Sequence, residues 1–413
     1  MPGVERSDRA LCGSCARAGY NFFTIAEPAS PGSVLALVRA GQASTRNDLA
    51  ECLGVARSTV VQRLGVLSAA GLVRVAGDAQ SSGGRPASVF AFNEDAGLVL
   101  VGDLGQTGCH LAVCDLGARP LAEHTAPLEI ERGPEPVLGW VRSRFSKLLA
   151  KIGRDWGDVL GVGIGLPGPV DFRTGRPVSP PAMPGWDGVY VPGLFSAVTD
   201  RPVLVDNDAR IMALGEHRTA RRDDEHMIFV KLGSGIGAGL IAHGMVLRGE
   251  RGAAGDIGHI VVDQQASEVC RCGNVGCLDA VAGGWAIARR MGAAAPTPPD
   301  VVRLAREGHA EAMSEVRRSG RLVGAAVADA VNLLNPTSVI IGGKLAEADE
   351  QVFAAIREAI YRHATPIASR HLTISLSELG HMAGVIGAAH MVIDYVLEPE
   401  RVAELVARRA QAA

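Results

Sequence analysis

The side chains with the clearest chemistry in this sequence are one imidazole and three thiols that lie close together. They are His259, Cys270, Cys272 and Cys277, and the three cysteines fall within eight residues. One imidazole and three thiolates at this spacing can close a tetrahedron around Zn²⁺, which favours that mixture of ligands. The glycines between the cysteines let the chain reverse sharply, as a metal-binding loop requires. The pattern predicts a structural zinc site; the alternative is a group of cysteines that packs beside a core histidine.

A second set of polar side chains stands where a strand is followed by a helix. Val205-Asp-Asn-Asp-Ala-Arg210 predicts such a junction. Because ligands collect at the carboxyl ends of strands in open α/β sheets, Asn207 and Asp208 are well placed to hydrogen-bond vicinal hydroxyls. The same residue types also start helices well, so a helix cap is the alternative, and the two roles can coexist.

Two glycine-rich turns, each between apolar strands, could bring backbone N–H groups close to a phosphate. The first joins a strand from Leu98 to a strand over His110–Asp115, and the second follows the strand that begins at Ile228. The residues concerned are Asp103, Gly105, Thr107, Gly233, Gly235 and Gly237. Either turn alone would be an ordinary tight hairpin. As a pair in this order, they predict an α/β body of two lobes, the duplicated actin-like or hexokinase-like fold.

The segment that precedes this body predicts a helix-turn-helix. Apolar residues of helical spacing begin at Val34, a capping box over Thr45–Asp48 opens a second helix that ends at Gly54, and a third helix begins near Arg57. In the third helix, Val60, Leu64 and Leu67 face inward, with Gly71 just past the end. The side chains left for the major groove of DNA are Arg57, Ser58, Thr59, Gln62 and Arg63.

Two strand-like segments, 72–75 and 89–92, flank a turn rich in glycine and serine and predict a hairpin wing. Within that turn, Arg85 could enter the minor groove, because Gly-Arg-Pro is slim and extended. Residues 31–90 carry six arginines against three acids, a charge of +3, whereas the whole chain has a formal charge of −3. A basic domain before an acidic one favours DNA binding over the alternative, a three-helix module for protein interactions.

The composition bounds the class of protein. With 413 residues, of which 47% are hydrophobic and 21% charged, the chain can hold several domains with sizeable cores. Its sequence contains neither an apolar run of membrane-spanning length nor a signal peptide, which predicts a cytoplasmic protein without a membrane partner. We expect a disordered leader over 1–30, a winged helix-turn-helix over 31–93, a ligand-binding body over 94–397 and a tail over 398–413. The lone Cys12-x-x-Cys15 is too weak a signal for a second metal.

From Gly255, the sequence Gly-Asp-Ile-Gly-His followed by Cys-Arg-Cys-Gly-Asn-Val-Gly-Cys-Leu-Asp resembles the signature of the ROK family of sugar-responsive repressors and sugar kinases. The resemblance extends over nearly the whole chain from about residue 33 and includes Gly-Arg-Pro in the wing. It implies that the zinc-bound His259 faces a sugar. It also implies that Asp256 and Asp279 contact the same sugar, at positions where the family usually has glutamates. The loop from Gly161 to Asp171 resembles family segments near the sugar cleft.

The resemblance implies two further roles that depend on kinase activity. In ROK kinases, the aspartate matching Asp208 takes the proton from the attacking sugar hydroxyl. Gly342 and Gly343 match the place where these kinases hold adenosine. The first phosphate loop departs from the kinase pattern Asp-x-Gly-Gly-Thr-Lys, because Gln106 replaces the second glycine and Gly108 the lysine. ROK repressors commonly carry a large residue at the position of Gln106.

These observations favour a DNA-binding transcriptional regulator, a repressor, whose sugar or sugar-phosphate effector alters operator binding. Dimerisation is expected, because one helix-turn-helix reads only half of a two-fold operator. Structural Zn²⁺ is the predicted cofactor. The alternative is a sugar kinase that uses ATP and Mg²⁺ and carries an appended DNA-binding domain. A scaffold for protein partners has no positive feature in the sequence.

Overall fold

Contacts within the chain separate two units. A computed structural model describes residues 30–78, 87–348 and 350–412. The first unit combines the N-terminal residues up to Gly97 with the C-terminal residues from Asp394, and the second unit covers Leu98–Ile393. Arg85, Cys12 and Cys15 lie outside the described residues.

The first unit contains three helices, a two-stranded antiparallel sheet and the last helix of the chain. Its elements are α1 (Pro31–Arg39), α2 (Arg46–Leu53), α3 (Arg57–Ala69), β1 (Val73–Asp78), β2 (Ser88–Phe92) and α13 (Pro399–Ala412). The predicted capping box is present, since the Thr45 hydroxyl accepts from the Asp48 N–H and the Asp48 carboxylate accepts from the Thr45 N–H. Gly54 caps α2 in the left-handed conformation, as predicted. Helix α3 buries the three predicted residues, Val60, Leu64 and Leu67.

The C-terminal segment that the sequence analysis sets apart as a tail is helical and belongs to the first unit. Helix α13 packs on α1, and a β-carbon on Gly32 would lie only 2.2 Å from the Pro399 carbonyl oxygen. Val402 and Leu405 are buried, because the amphipathic helix turns these apolar side chains inward. Arg39 donates to Asp394 at 2.8 Å and adds an ion pair within this unit.

The second unit is built on two five-stranded sheets, supplemented by a two-stranded ribbon. The strands are β3 (Leu98–Leu104), β4 (Gly108–Cys114), β5 (Pro120–Pro127), β6 (Val159–Leu166), β7 (Val170–Asp171), β8 (Arg176–Pro177), β9 (Val203–Asn207), β10 (His226–Leu232), β11 (Ile236–Ala242), β12 (Met245–Leu247), β13 (Ser338–Gly342) and β14 (Thr373–Leu376). The helices are α4 (Pro134–Lys151), α5 (Asp208–Ala220), α6 (Leu278–Ala282), α7 (Gly284–Met291), α8 (Pro298–Arg306), α9 (Ala310–Leu334), α10 (Glu350–His363), α11 (Pro366–Ser369) and α12 (Ala383–Val396).

The two large sheets have the same topology. Their strand orders are β5-β4-β3-β6-β9 and β12-β11-β10-β13-β14. In each sheet, the first three strands pair antiparallel and the last three pair parallel. Each predicted strand-turn-strand therefore occupies the corresponding place in its own sheet, and the expected duplication is confirmed. A separate apolar core fills each lobe, because the helices cover the sheets and exclude water from them.

Glycines allow helices to approach the strands and one another closely. Gly163 is one of three alternating glycines in β6, and a β-carbon there would lie 2.8 Å from a carbonyl oxygen of α12. The expectation of a loop from Gly161 is therefore wrong for its first part, which is a buried strand up to Leu166. Helices α5 and α12 cross where a β-carbon on Gly387 would lie 1.6 Å from the Ile211 carbonyl oxygen.

Within the described residues, no single helix is long and apolar enough to cross a membrane. One bent pair of consecutive helices, Gly380–Val396 with Pro399–Gln411, passes the same test of length and composition when its members are taken together.

Candidate ligand and metal-binding site

A cavity of about 90 Å³, open to solvent, lies between the two lobes of the second unit. Both lobes contribute to its wall. All five residues predicted to bind a sugar line it: Asn207, Asp208, Asp256, His259 and Asp279. The fold thus brings into one cavity side chains that are spread over more than seventy residues of sequence.

Asn207 and Asp208 reach the cavity from the junction between β9 and α5. The Asn207 side chain caps α5 by accepting from the Arg210 N–H at 3.2 Å, and it also donates to the Gly168 carbonyl at 3.1 Å. Asp208 is buried, and its carboxylate forms a short ion pair with Lys231 of β10. The helix cap considered from the sequence is therefore real at Asn207, while both side chains still border the cavity.

Lys231 is the cation at the centre of this wall, and its side chain is 22% exposed. Burial alone would lower the pKa of Lys231, but the carboxylates of Asp208 and Asp103 outweigh it and raise the pKa. Burial raises the pKa of Asp103 from 3.8 to about 6, with Lys231 acting in the opposite direction and Asp208 in the same one. Two carboxylates and one ammonium therefore interact here, of which Asp208 and Lys231 line the cavity and Asp103 lies behind them.

Asp279 is held by both of its carboxylate oxygens. One accepts from the Ile236 N–H at 2.8 Å, and the other accepts from the Trp285 indole N–H at 2.7 Å. Burial raises its pKa, although these two hydrogen bonds lower it. The short aspartate side chain thus fits between the start of β11 and the indole ring, and it lines the cavity.

Asp256 differs from Asp279, because no hydrogen bond ties its carboxylate to another described residue. Desolvation in the cleft raises its pKa, whereas His259 and Arg210 lower it. Its loop is anchored by Arg210, whose guanidinium is 2% exposed and donates to the Gly252 carbonyl at 2.6 Å. A free acceptor on an anchored loop is well suited to a ligand hydroxyl.

His259, Cys270, Cys272 and Cys277 bring one ligand atom each to a common point, with all four atoms within 4.8 Å of one another. The Cys270 sulfur lies 3.5 Å from the His259 Nδ1, and the Cys272 and Cys277 sulfurs lie 3.7 Å apart. Ligands at about 2.0–2.3 Å in a tetrahedron stand about 3.5–3.8 Å from each other, so these spacings fit a metal ion. Burial raises the pKa of the Cys277 thiol to about 12, so a thiolate there needs a cation.

The backbone of the loop that carries the three cysteines is compact. Val261 bridges to Cys277 and Val269 to Val275, which closes two small antiparallel contacts. Gly276 has a φ of 74°, and a β-carbon there would lie 1.8 Å from the Asp263 carbonyl oxygen. Only glycine fits this position, which confirms the sharp reversal expected from the sequence.

The same loop contributes Arg271 to the cavity. Its guanidinium donates to the side-chain amide oxygen of Gln106 at 3.0 Å and lies over the Trp285 ring at 4.6 Å. Gln106 belongs to the turn between β3 and β4 of the other lobe. This hydrogen bond therefore links the cysteine loop of one lobe to the first glycine-rich turn of the other, across the cavity.

Comparison with known proteins places this arrangement in a family. Residues 100–395 match the ROK family. The chain belongs to the ROK family. A glucokinase of Halalkalibacterium halodurans is 30% identical over 308 residues, which cover 70% of this chain and 93% of that protein. A xylose repressor of Caldicellulosiruptor bescii is 28% identical over 370 residues, covering 86% of this chain and 92% of the repressor.

A solved structure of a ROK family transcriptional regulator, described as a homolog of the Escherichia coli MLC protein, resembles this ROK chain with a TM-score of 0.75. The two are 26% identical, and the match covers 91% of this chain and 98% of the other.

The glycines predicted to cradle phosphates are distributed unevenly in this ROK protein. Gly235 and Gly237 line the cavity, and Gly233 stands beside them at the carboxyl end of β10. Gly342 is the last residue of β13, the parallel neighbour of β10, and Gly343 follows it; the two pack against the Phe229 ring and the Leu232 carbonyl. The other three predicted residues, in the β3–β4 segment, are not part of the cavity wall although Gln106 between them is: Asp103, Gly105 and Thr107.

In the first unit, α3 presents a polar surface. Arg57, Ser58 and Gln62 are exposed, whereas Thr59 and Arg63 are half-buried. The exposed face also includes Val61, with 46% of its surface accessible. The five described residues predicted to meet DNA thus lie on one helix, and three of them are open to a partner.

Several residues of the site were not predicted from the sequence. Lys231, Arg271, Arg210 and Trp285 all contact predicted residues, but none of the four was assigned a role, although Arg210 and Arg271 lie inside the quoted motifs. A lysine inside the apolar strand Ile-Phe-Val-Lys-Leu was a usable signal, because a strand buried on both faces rarely holds a charge without a partner. Arg271, between two metal ligands, was another.

Proposed function

We propose that this ROK protein is a sugar-responsive DNA-binding transcriptional repressor of carbohydrate-metabolism genes. The proposal rests on two features that occur in one chain. The first unit has an exposed polar helix, and the ROK body has a cavity lined by side chains that can bind hydroxyl groups. The repressor match covers 86% of the chain, whereas the glucokinase match covers 70%. The additional coverage favours the regulatory branch.

In this proposal, the first unit is a winged helix-turn-helix. Helix α3 enters the major groove, where Gln62 and Arg57 offer bidentate donors and acceptors to base edges. The strands β1 and β2 form the wing, and Arg85, which the sequence places between them, is the residue proposed for the minor groove. Two copies of the chain bind a two-fold operator, since one α3 reads only a half-site.

The effector is a sugar or sugar phosphate bound in the cavity. Asp256 supplies an acceptor that no described residue uses, Asp279 and Asn207 border the same space, and His259 presents its ring. Vicinal sugar hydroxyls need several acceptors at fixed separations, and these side chains are anchored to different elements. Effector binding changes the closure of the lobes and thereby the spacing of the paired α3 helices.

Zn²⁺ is the proposed metal at His259, Cys270, Cys272 and Cys277. One imidazole and three thiolates suit Zn²⁺, and a closed set of four protein ligands fits a structural rather than a catalytic role. When bound, the ion neutralises the thiolates and holds the loop that carries Arg271. The chain's own contribution is to present His259 and Arg271 to the effector.

Kinase activity is the alternative, and two contacts count against it. A catalytic base must accept a proton, whereas the Asp208 carboxylate is engaged by Lys231. Gln106 occupies the first glycine-rich turn and reaches Arg271 instead of leaving bare backbone for phosphates. The assay is ADP release with a panel of hexoses and amino sugars, and turnover dependent on Asp208 would establish the alternative.

The direct test is mapping of bound DNA across the genome, followed by anisotropy titration of a recovered site at fixed salt. We expect nanomolar affinity for that site, with loss of roughly 1–3 kcal/mol of discrimination in Gln62→Ala and in Arg63→Ala. Arg85→Ala is expected to weaken binding to sites with AT-rich flanks. Arg154→Ala, an exposed arginine of the second unit, is the control of equal charge.

The proposal fails if no DNA is enriched, or if α3 variants bind the recovered site as tightly as the control. A sugar panel added to the same titration identifies the effector through a change in DNA affinity.

A further inference from the structure

Three metal-ligating side chains meet at a corner of the second sheet, away from the cavity. Glu225 directly precedes β10, His226 is the first residue of β10, and His243 lies in the turn between β11 and β12. The antiparallel register pairs His226 with Ala242, so the next residue, His243, is brought beside the start of β10. The sheet therefore assembles two imidazoles and one carboxylate that the sequence separates by sixteen residues.

The three side chains already point towards a common centre. One ligand atom from each lies within 4.8 Å of the others. The two imidazole rings stand 4.7 Å apart between centroids at an angle of 72°. The His226 Nδ1 is buried and has no hydrogen-bond partner among the described residues. Ligand atoms at about 2.1 Å from a cation are at most about 4.2 Å apart. Side-chain movements that shift these atoms by less than about 1 Å would therefore bring all three to coordination distance.

The backbone holds these residues in place. The Gly244 N–H donates to the Glu225 carbonyl at 2.9 Å, and the Thr337 N–H donates to the His226 carbonyl at 2.8 Å. His243 and Gly244 have φ values of 51° and 71° and connect β11 to β12 as a two-residue hairpin turn. Asparagine or glycine is usual at the first position of such a turn, and a histidine there adopts an unfavourable left-handed conformation. Unfavourable backbone geometry of this kind is typical of binding positions.

This corner is separate from the effector cavity and from the cysteine cluster. Strand β10 begins at His226 and carries Lys231 towards its opposite end, which at about 3.4 Å per residue is about 17 Å away. Asp223 and Asp224 precede Glu225 and follow Arg221 and Arg222, so residues 221–225 carry two positive and three negative charges. The Asp224 carboxylate is engaged by the Ser338 hydroxyl at 2.6 Å, which leaves Glu225 as the acid directed at the imidazoles.

We propose that Glu225, His226 and His243 form a second metal site, which binds a first-row transition dication of the Co²⁺, Ni²⁺ and Zn²⁺ class. Two imidazoles and one carboxylate suit these ions, whereas Mg²⁺ and Ca²⁺ prefer oxygen ligands. Three protein ligands leave positions for water or for a group from a partner. The bound ion would cross-link the start of β10 to the β11–β12 turn. The inference stands independently of DNA and sugar binding.

The test is titration calorimetry of Ni²⁺ into the full chain, without a histidine tag, loaded with one Zn²⁺ per chain and freed of excess metal, at pH 7.5. Zinc release is followed with a chromophoric chelator, so that exchange at the cysteine cluster is counted separately. His243→Asn removes a ligand but keeps a residue that tolerates the left-handed turn. Glu225→Gln removes only the charge. His371→Asn, at an exposed histidine outside both clusters, is the matched control.

We expect one Ni²⁺ per chain bound without zinc release. His243→Asn should weaken this binding at least tenfold, Glu225→Gln should weaken it to a smaller extent, and His371→Asn should leave it unchanged. Tryptophan fluorescence shows whether each variant is folded, since all four tryptophans lie in the second unit. Uptake of Ni²⁺ only by zinc exchange, or equal affinities in His243→Asn and His371→Asn, would overturn the proposal.

Discussion

Arg210 is predicted to be the side chain on which the wall of the cavity depends most. Its guanidinium is 2% exposed and donates to three acceptors: the Asp206 carboxylate at 2.6 Å, the Gly252 carbonyl at 2.6 Å and the Val170 carbonyl at 3.1 Å. These acceptors belong to three different segments, one of which carries Asp256. The perturbation we consider is Arg210→Met, which keeps much of the side-chain length and removes the charge and all donors.

The loss of unfolding free energy is set by the buried carboxylate of Asp206, which the substitution leaves without its main partner. Asp206 is 1% exposed and would retain the Asn207 N–H, which donates to one oxygen at 2.8 Å, and Arg248, which donates to the other at 2.8 Å. Breaking a buried ion pair from one side costs about 3–5 kcal/mol, because the remaining charge is still desolvated. The same substitution at Arg154, whose pair with Asp158 is exposed and 3.3 Å long, should cost no more than about 0.5 kcal/mol. At about 2 °C per kcal/mol, Arg210→Met should lower the melting temperature by roughly 6–10 °C.

The assay is equilibrium unfolding in urea, followed by tryptophan fluorescence, which reports the second unit alone because the first contains no tryptophan. A double-mutant cycle with Asp206→Asn isolates the energy of the pair. We expect a coupling energy above about 1.5 kcal/mol. If Arg210→Met were as stable as Arg154→Met, the guanidinium would not hold these segments together and the reasoning would be refuted.

The remaining predictions concern three carboxyl and thiol groups. Because the folded pKa of Asp103, about 6, lies above 3.8, its protonation stabilises the fold fully below about pH 3.8, and this stability is lost as pH rises through 6. Asp103→Asn should therefore stabilise the protein by up to about 3 kcal/mol at pH 7.5, and melting curves should show no gain at pH 4. Cys272→Ser should lose the bound zinc and the effector response before the body unfolds. Cys109→Ser, outside the cluster, should keep both. Metal analysis that finds well under one zinc per chain in the unmodified protein, with effector binding intact, would contradict this prediction. Glucose and N-acetylglucosamine should bind weakly, and Asp256→Glu, which extends the carboxylate by about 1.5 Å, should tighten one of them in calorimetric titration; micromolar binding to the unmodified protein would show that the short acid does not set specificity.

Local patterns in the sequence were sufficient for the elements and for part of the site. The capping box at Thr45, the inward stripe of α3 and the paired glycine-rich turns were all predicted, because caps, helical periodicity and turn glycines depend on neighbours within a few residues. The cysteine cluster was also predicted, since a metal loop closes over a short stretch of chain.

Other features depend on contacts between distant segments, which only the tertiary structure decides. Lys231 meets Asp208 across 23 residues, and Arg271 meets Gln106 across 165. Helix α13 packs on α1 from the opposite end of the chain. No periodicity in the sequence marks such partners. They are buried against each other only once the chain has folded, and burial is what makes their pairing necessary.

The two acids that flank the histidine and cysteine motif show, within a single site, what the sequence determines and what the tertiary structure decides. Asp256 and Asp279 have the same side chain, and the sequence alone assigned them the same role. The fold engages both oxygens of Asp279 with Ile236 and Trp285 and leaves the Asp256 carboxylate open to the cavity. The sequence determined which groups are present, and the packing around them determined which are available, because hydrogen bonding and burial depend on neighbours that only the folded chain supplies.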